Sequence, residues 1–590
     1  MFRNNAMQKE TENFNRENQP HYLMLLNDYN FEIMLAAFFL LFWTLGERSL
    51  WASEGRWAEI AREMLISGDF FHPTIGGHAY FDKPLLTYWV IAFFSKLTGR
   101  LDEFIVRLPS ALAAVITLGC TVYLGRRLWS VQVGWLAGAF LLTSYGLLNH
   151  SHIASAETEN LAAVMLAVTW YWTRRERPGF TTFLVFYLIM FIGSHMKGLT
   201  AFVVPVLIVL PDLLCQKRWR YLLWPSHWLA LGIGVAVYLS PFIYETLTRP
   251  ESYQESGLYF VFHENILRYF RPFDHKEPFY VYAYMLPLFT MPWLPIFIGA
   301  LITSAASWKK LDKNTRWLIQ AMLLIFAFFT LSGSRRGYYI LPILPFCMLL
   351  AAVFLTEARE IVGEHRERGL RIQKLVLITI AISELVLIPI AVWILVNKMN
   401  WRLPDNLGWS FFVVGLITLL AGISTYKISA KFLPGHPLQT ILVLIIMAGI
   451  LQGGFFTWQY NILESRRTEK PFTMKVNAVA KSLPEDRVVF WRKYEETMIF
   501  YMKLDPPVKW LNDEHSLQEF LKSDQPGMII SQGRYVTDSI ASMLPQQPAF
   551  AETCFRWESP DRQLKKMKAW LINPDVSQIA MENKGVNYAK

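Results

Sequence analysis

Residues 84–98 read PLLTYWVIAFFSKLT, and whether this apolar run crosses a membrane decides the sidedness of the whole chain. A crossing helix needs roughly 20 residues to span a hydrocarbon core of about 30 Å. The run opens on Pro84, carries Lys96 and stops at Gly99, so it is short and marked by charge. We expect it to lie in the interface rather than to cross. Once it is withdrawn, the loops rich in Lys and Arg fall on one side. These are Arg126-Arg127, Arg174-Arg175-Arg177, Lys217-Arg218-Arg220, Lys309-Lys310-Lys313-Arg316, Arg359 to Lys374, and Lys427-Lys431. Short basic loops stay in the cytoplasm. If 84–98 crossed, Arg126-Arg127 and every later basic loop would change sides.

The composition agrees with a membrane chain. Of 590 residues, 53% are hydrophobic, 15% aromatic and only 18% charged, where a soluble chain carries about 25% charged residues. Mean hydropathy is +0.25. Soluble domains of this total length would lack the charge to cover their surfaces. The net charge of +10 is dispersed between apolar runs, so no nucleic acid partner is expected. Cys120, Cys215, Cys347 and Cys554 imply no disulfide framework. Residues 1–30 are polar, and the run Phe31 to Gly46 has no small-residue cleavage site after it. It reads as a retained first span rather than a cleaved signal. The expected fold class is therefore a mainly α polytopic membrane protein with about 13 transmembrane helices. Residues 1–30 are cytoplasmic, 31–460 form the membrane region and 461–590 lie outside. Charged residues of both signs return in that last stretch. Val488–Trp491 and Met528–Ile530 read as buried strands, and Ser516-Leu517-Gln518-Glu519 as a capping box opening a helix. A small α/β domain, separate from the membrane region, is expected there.

On this map the outer face collects polar residues that loops do not require. The first outer segment, 47–103, holds Glu54, Arg56, Glu59, Arg62, Asp82 and Lys83. Others hold His150, His152, Glu157 and Glu159; His195 and Lys197; His263, Glu264, Arg268 and His275; and Arg335, Arg336, Tyr338 and Tyr339. Ionisable groups so near hydrocarbon are expensive and mark functional sites. Within the first segment, Trp57, Ile60, Ala61, Met64 and Leu65 follow helical spacing. We expect an amphipathic helix lying in the interface, with Trp57 at headgroup depth and Glu54 at its positive entrance.

Several motifs carry a family resemblance. Glu54-Gly55-Arg56-Trp57-Ala58-Glu59-Ile60-Ala61-Arg62-Glu63-Met64 is followed by Phe81-Asp82-Lys83-Pro84, Arg107-Leu108-Pro109-Ser110-Ala111 and Lys197-Gly198. Then come Glu264-Asn265-Ile266-Leu267-Arg268 and Ser334-Arg335-Arg336-Gly337-Tyr338-Tyr339-Ile340-Leu341-Pro342. From residue 45 to 350 this order resembles the protein O-mannosyltransferase-like membrane glycosyltransferases, nearest the branch that transfers aminoarabinose to bacterial lipid A. The resemblance implies a C-type glycosyltransferase fold with interfacial helices in the first outer loop. It implies a polyprenyl-phosphate-linked sugar donor, a lipid A, glycan or protein acceptor, and membrane lipids as surroundings. The branch has Asp-Glu at the start of the first motif, whereas this chain has Ser53 and Glu54.

The chemistry that follows needs cations on the leaving phosphate and a carboxylate to take a proton from the acceptor. The expected roles are Glu54 as base and Glu159 as the acid that orients acceptor or sugar, with Glu157 the alternative in the second loop. Lys83 is expected to bind the donor phosphate, supported by Arg56 and Arg268. Asp82, Lys197, Arg336, Tyr338 and Tyr339 are expected to contact substrate. No cofactor is required; a divalent metal could sit among His152, His195, His263 and Glu264. The competing class is a transporter or flippase of lipid-linked sugars. That class needs ionisable residues inside spans and two related halves; Glu384 is the main such residue, and no repeat is evident.

Overall fold

A computed structural model describes residues 30–51, 53–251, 253, 257–271, 276–361, 449, 468–553 and 566–574. The expected spans near residues 385 and 417, the loops Arg359–Lys374 and Lys427-Lys431, Glu384, His275 and Cys554 lie outside the described residues. After helix α1 (Asn30–Phe42) the chain forms α2 (Glu54–Ser67), a hairpin of β1 (Thr74–Ile75) and β2 (His78–Ala79), and α3 (Leu86–Thr98). The helices that follow are α4 (Glu103–Leu128), α5 (Val131–Leu142), α6 (Tyr145–Ser151), α7 (Glu157–Arg174), α8 (Phe180–Ser194), α9 (Thr200–Cys215) and α10 (Pro225–Thr248). Then come α11 (Val281–Thr290), α12 (Leu294–Ala306), α13 (Lys313–Leu331) and α14 (Leu344–Ile361).

Among the described residues four helical stretches are long and apolar enough to cross a membrane: Glu103–Leu128, Pro225–Thr248, Lys313–Leu331 and Gly337–Thr356. A fifth crossing results if α5 and α6, bent by 58°, form one span. Shorter apolar helices lie at Phe180–Ser194, Thr200–Cys215, Val281–Thr290 and Ile296–Ala306. The length of α3, 13 residues, is below that of a crossing helix. It buries Tyr88, Ile91 and Ala92 and leaves Phe93 and Leu97 exposed.

The first outer loop departs from expectation in what covers it. Trp57, Ile60, Ala61 and Met64 do share one face of α2, but all are at most 2% exposed. Trp57 packs against Tyr88 of α3, ring centroids 4.7 Å apart, so it lies inside the protein and not at headgroup depth. The opposite face is covered too: Glu59 and Glu63 are buried. The hairpin beyond α2 turns through Gly76 (φ +60) and Gly77 (φ +76) between the paired Ile75 and His78. Two successive positive φ values are what a tight two-residue hairpin demands. The Glu63 carboxylate accepts hydrogen bonds from both glycine amides and from Thr74.

What covers α2 is the C-terminal region. It comprises α15 (Lys470–Ala480), β3 (Val488–Trp491), α16 (Glu496–Met502), β4 (Trp510–Leu511), α17 (Glu514–Lys522), β5 (Gly527–Gln532), β6 (Phe550–Thr553) and β7 (Lys566–Ile572). The strands form one sheet in the order β4-β3-β5-β7-β6, with β3 parallel to β4 and β5, and β7 antiparallel to its neighbours. The two expected strands are present. The expected capping box is not: α17 starts three residues earlier, and Asp513 caps it by accepting from the Ser516 amide at 2.8 Å. One face of the sheet shares a continuous apolar core with α2 and α3 that includes Trp57, Tyr88, Phe472, Phe490 and Met498. The C-terminal region is thus docked on the segment that carries α2 and α3.

Candidate active site

The site rests on a buried ion pair. Arg107, in the second turn of α4, is 1% exposed and uses every donor position of its guanidinium. Nε donates to Glu54 Oε1 at 2.7 Å and Nη2 to Glu54 Oε2 and Ser49 O, both at 2.9 Å. Nη1 donates to Leu45 O at 2.9 Å and Arg48 O at 2.7 Å. Glu54, fully buried at the start of α2, also pairs with Arg48 at 2.9 Å and accepts from the amides of Trp51 and Ala154. Burial alone would raise its pKa; Arg107 and Arg48 outweigh it and hold the carboxyl below its ordinary range. A carboxylate offers about four lone-pair directions, and all are taken. This environment commits Glu54 within the protein, an arrangement that favours an anchoring role over the role of base expected of it.

Ahead of this anchor, Arg56 Nη1 bonds Tyr80 OH at 2.6 Å and Asp82 Oδ2 at 3.1 Å. Lys83 Nζ reaches Asp82 O at 2.7 Å and the same carboxylate at 3.2 Å. Burial raises the Asp82 pKa, but Lys83 and Arg56 together bring it below the usual range. Asp82 therefore holds two cations side by side.

Across from Lys83 stands Lys197, in the turn between α8 and α9. It forms an ion pair with Glu157, the first residue of α7. Its ammonium lies 4.5 Å from the Tyr339 ring centroid and 5.3 Å from that of Tyr338. Burial pulls the Lys197 pKa down while Glu157 opposes it. Gly198 (φ +140) lets the backbone pass close to Asn265: a side chain there would meet Asn265 Oδ1 at 2.8 Å, the same atom that accepts from the Leu199 amide. Arg268 pairs with Glu264 across the π-helical turn His263–Leu267. Lys83 and Arg268 both lie within electrostatic reach of Lys197, and Lys83 also within reach of Glu157. Arg336 and Arg268 act on Tyr338 in the same way.

The structure thus brings together Lys83, Lys197, Arg268, Arg336, Tyr338 and Tyr339, with Arg56 and Asp82 directly behind Lys83. Glu159 stands behind Glu157: it is 5% exposed, accepts from Ser110 Oγ at 3.0 Å and lies within electrostatic reach of Glu157 and Lys197 without pairing with either. The acid among the cations is Glu157. Two residues apart at a helix start, Glu157 and Glu159 point to different faces, and the sequence does not say which faces the site. Of the histidines, His152 bonds Leu148 O at 2.9 Å, His195 stacks on Phe242 and His263 approaches Glu264 at 3.2 Å. Among the described residues no three His, Cys, Asp or Glu side chains are grouped to hold a metal ion.

Residues 82–244 match the family described as dolichyl-phosphate-mannose-protein mannosyltransferase. The undecaprenyl phosphate-alpha-4-amino-4-deoxy-L-arabinose arabinosyl transferase of Aeromonas salmonicida is 34% identical over 352 residues, which is 57% of this chain and 62% of the relative. The transferase of the same name from Pseudomonas paraeruginosa is 30% identical over 404 residues, 63% of this chain and 71% of the relative. The fold matches ArnT from Cupriavidus metallidurans, crystallised with undecaprenyl phosphate, at a TM-score of 0.69 and 18% identity, over 93% of this chain and 98% of the other. The chain belongs to the family of undecaprenyl phosphate-alpha-4-amino-4-deoxy-L-arabinose arabinosyl transferases and is a membrane glycosyltransferase.

Proposed function

We propose that this protein transfers a sugar of the 4-amino-4-deoxy-L-arabinose type from undecaprenyl phosphate to lipid A at the outer face of the cytoplasmic membrane. A glycan or protein is the alternative acceptor. The observation that carries this reading is the convergence of Lys83, Lys197, Arg268 and Glu157 from separate segments onto one site beside Tyr338 and Tyr339. Lys83 and Arg268 face the donor phosphate, where preorganised cations stabilise the charge that develops on departure. The bond between the anomeric carbon and the phosphate oxygen breaks, and its electron pair leaves with undecaprenyl phosphate. An acceptor oxygen bonds to the anomeric carbon. Where that oxygen is a hydroxyl, its proton passes to Glu157, which is buried and paired with Lys197. Arg56 and Asp82 hold Lys83 in place, and Glu54 with Arg107 holds the loop that carries them. Arg336 and the two tyrosines line the site toward substrate. Glu159 supports the turn that presents Glu157. No metal is assigned a role.

The test is turnover by the purified full chain given undecaprenyl-phosphate-linked aminoarabinose and lipid A. Free undecaprenyl phosphate and modified lipid A should appear in equal amounts, whereas a flippase would release neither. Lys83→Ala should weaken donor binding and slow transfer; losing one charged hydrogen bond costs about 1.5–3 kcal/mol. With a hydroxyl acceptor, Glu157→Gln should lower transfer about a hundredfold or more and leave donor binding in place. Normal turnover in both variants would remove this site from the reaction.

A further inference from the structure

The C-terminal region does more than cover the first outer loop; it grips the loop at both ends and at its centre. At the ends, Tyr501 OH accepts from the Leu50 amide at 2.7 Å and donates to Glu103 Oε1 at 2.9 Å. Thr468 Oγ1 donates to Leu50 O at 3.1 Å, and Lys470 pairs with Glu103. Leu50 precedes α2 and Glu103 opens α4, so one hydroxyl ties together the points where the loop leaves and re-enters the helical bundle. At the hairpin, the Val508 amide donates to Gly76 O at 2.9 Å. At the far end of α2, Arg62 donates to Leu504 O at 2.6 Å.

The closest approach is at Gly55. A Cβ there would stand 2.2 Å from Thr497 Oγ1 and 2.8 Å from the Thr497 backbone nitrogen and Cα. Helix α16 therefore lies directly on the backbone of α2, between Glu54 and Arg56. From that point a chain of contacts runs to the site: Arg56 holds Asp82, and Asp82 holds Lys83. A displacement of α16 against Gly55 moves Arg56 first and Lys83 after it.

We propose that the C-terminal domain is a working part of the site, with Tyr501 and Thr497 as positioning residues that set the place of Lys83 through α2. The part that concerns donor binding rests on the transfer reaction proposed above. Misplacement of a substrate-holding group by about 1 Å can cost about a hundredfold in rate, so a remote contact of this kind is worth measuring.

The experiment uses the full-length protein and two variants. Gly55→Ala forces α2 and α16 apart. Tyr501→Phe removes only the hydroxyl that joins Leu50 to Glu103, and it carries the test alone if Gly55→Ala does not accumulate. Two readouts are taken. The rate at which an amine-reactive reagent labels Lys83, mapped by mass spectrometry, reports the loop without any donor. Binding of undecaprenyl phosphate, measured by ligand-induced thermal stabilisation, reports the site. Expected are faster labelling of Lys83 and about tenfold weaker lipid binding, with the double variant carrying Lys83→Ala binding no more weakly than Lys83→Ala alone. Unchanged Lys83 labelling overturns the inference. So does normal lipid binding in the variants, or an additive loss on combining with Lys83→Ala. Faster labelling in a protein whose wild type binds no undecaprenyl phosphate upholds the positioning and instead sinks the donor assignment.

Discussion

Glu54 and Glu157 are both acids at the first residue of a helix, yet their surroundings differ, and the roles proposed for them differ accordingly. Glu54 is enclosed by two arginines and two backbone amides. Glu157 faces one lysine in the site, with a second in reach. Removing one member of a buried ion pair leaves the other charge stranded, at a cost of about 3–5 kcal/mol. Glu54→Gln should therefore lower the midpoint of thermal unfolding markedly, while transfer per folded molecule falls less than in Glu157→Gln. Comparable activity loss with unchanged stability would return the role of base to Glu54. The sequence led to the expectation that acids and bases gather on one face of the membrane, and Lys83, Lys197, Arg268 and the two tyrosines do meet. It could not show that Arg107, an arginine inside a helix run, spends all its donors on the neighbouring loop. That is a property of three-dimensional closure, and nothing in the spacing of Arg107-Leu108-Pro109 announces it.

At the scale of an element, α2 shows what periodicity reveals and what it leaves open. The spacing of Trp57, Ile60, Ala61 and Met64 identified a helix and its apolar face, but an apolar face is equally content against lipid or against protein. Here it is protein, and Trp57 is buried against Tyr88. Trp57→Ala should then destabilise the protein by about 3–5 kcal/mol, the usual cost of emptying a large aromatic site. A residue at headgroup depth would cost little, so the unfolding midpoint in detergent separates the two. The polar face of the same helix carries a second consequence. Burial lifts the Glu59 carboxyl from its ordinary 4.5 to about 8, against the pull of Arg62 and with added repulsion from Glu63. Between these values the folded protein keeps a proton that the unfolded chain has lost. Stability contributed by protonated Glu59 is thus full below pH 4.5, declines as pH rises and is gone above about 8. Glu59→Gln, which mimics the protonated form, should flatten that decline in unfolding midpoints measured across the window. An identical slope in the variant would place the titrating group elsewhere.

For the whole molecule, the docking of the C-terminal domain constrains topology in a way that hydropathy alone cannot. Tyr501 touches both Leu50 and Glu103, and Lys470 touches Glu103. The first outer loop and the domain after residue 468 must therefore share one side of the membrane. An even number of crossings has to separate Glu103 from Thr468, whatever the helices outside the described residues do individually. The basic residues Arg174, Arg175 and Arg218 provide an independent marker of the other side, since short loops carrying such charge stay cytoplasmic. α4 leads from Glu103 on the site face to Arg126-Arg127 at its far end, in keeping with that assignment. A reporter active only outside the cytoplasm should be active when fused after residue 470, silent when fused near Lys313, and active again near Ser95, because α3 is too short to cross. The fusion at Ser95 is the sharpest of the three. If it were silent while the fusion after 470 stayed active, α3 would cross, and Glu103 and Lys470 would stand on the same side only if a further crossing occurred between α3 and α4. Gly99 to Asp102 leaves no chain for one. A silent fusion after residue 470 would instead invert the entire map and place the cations of the site in the cytoplasm, away from the outer face at which transfer is proposed.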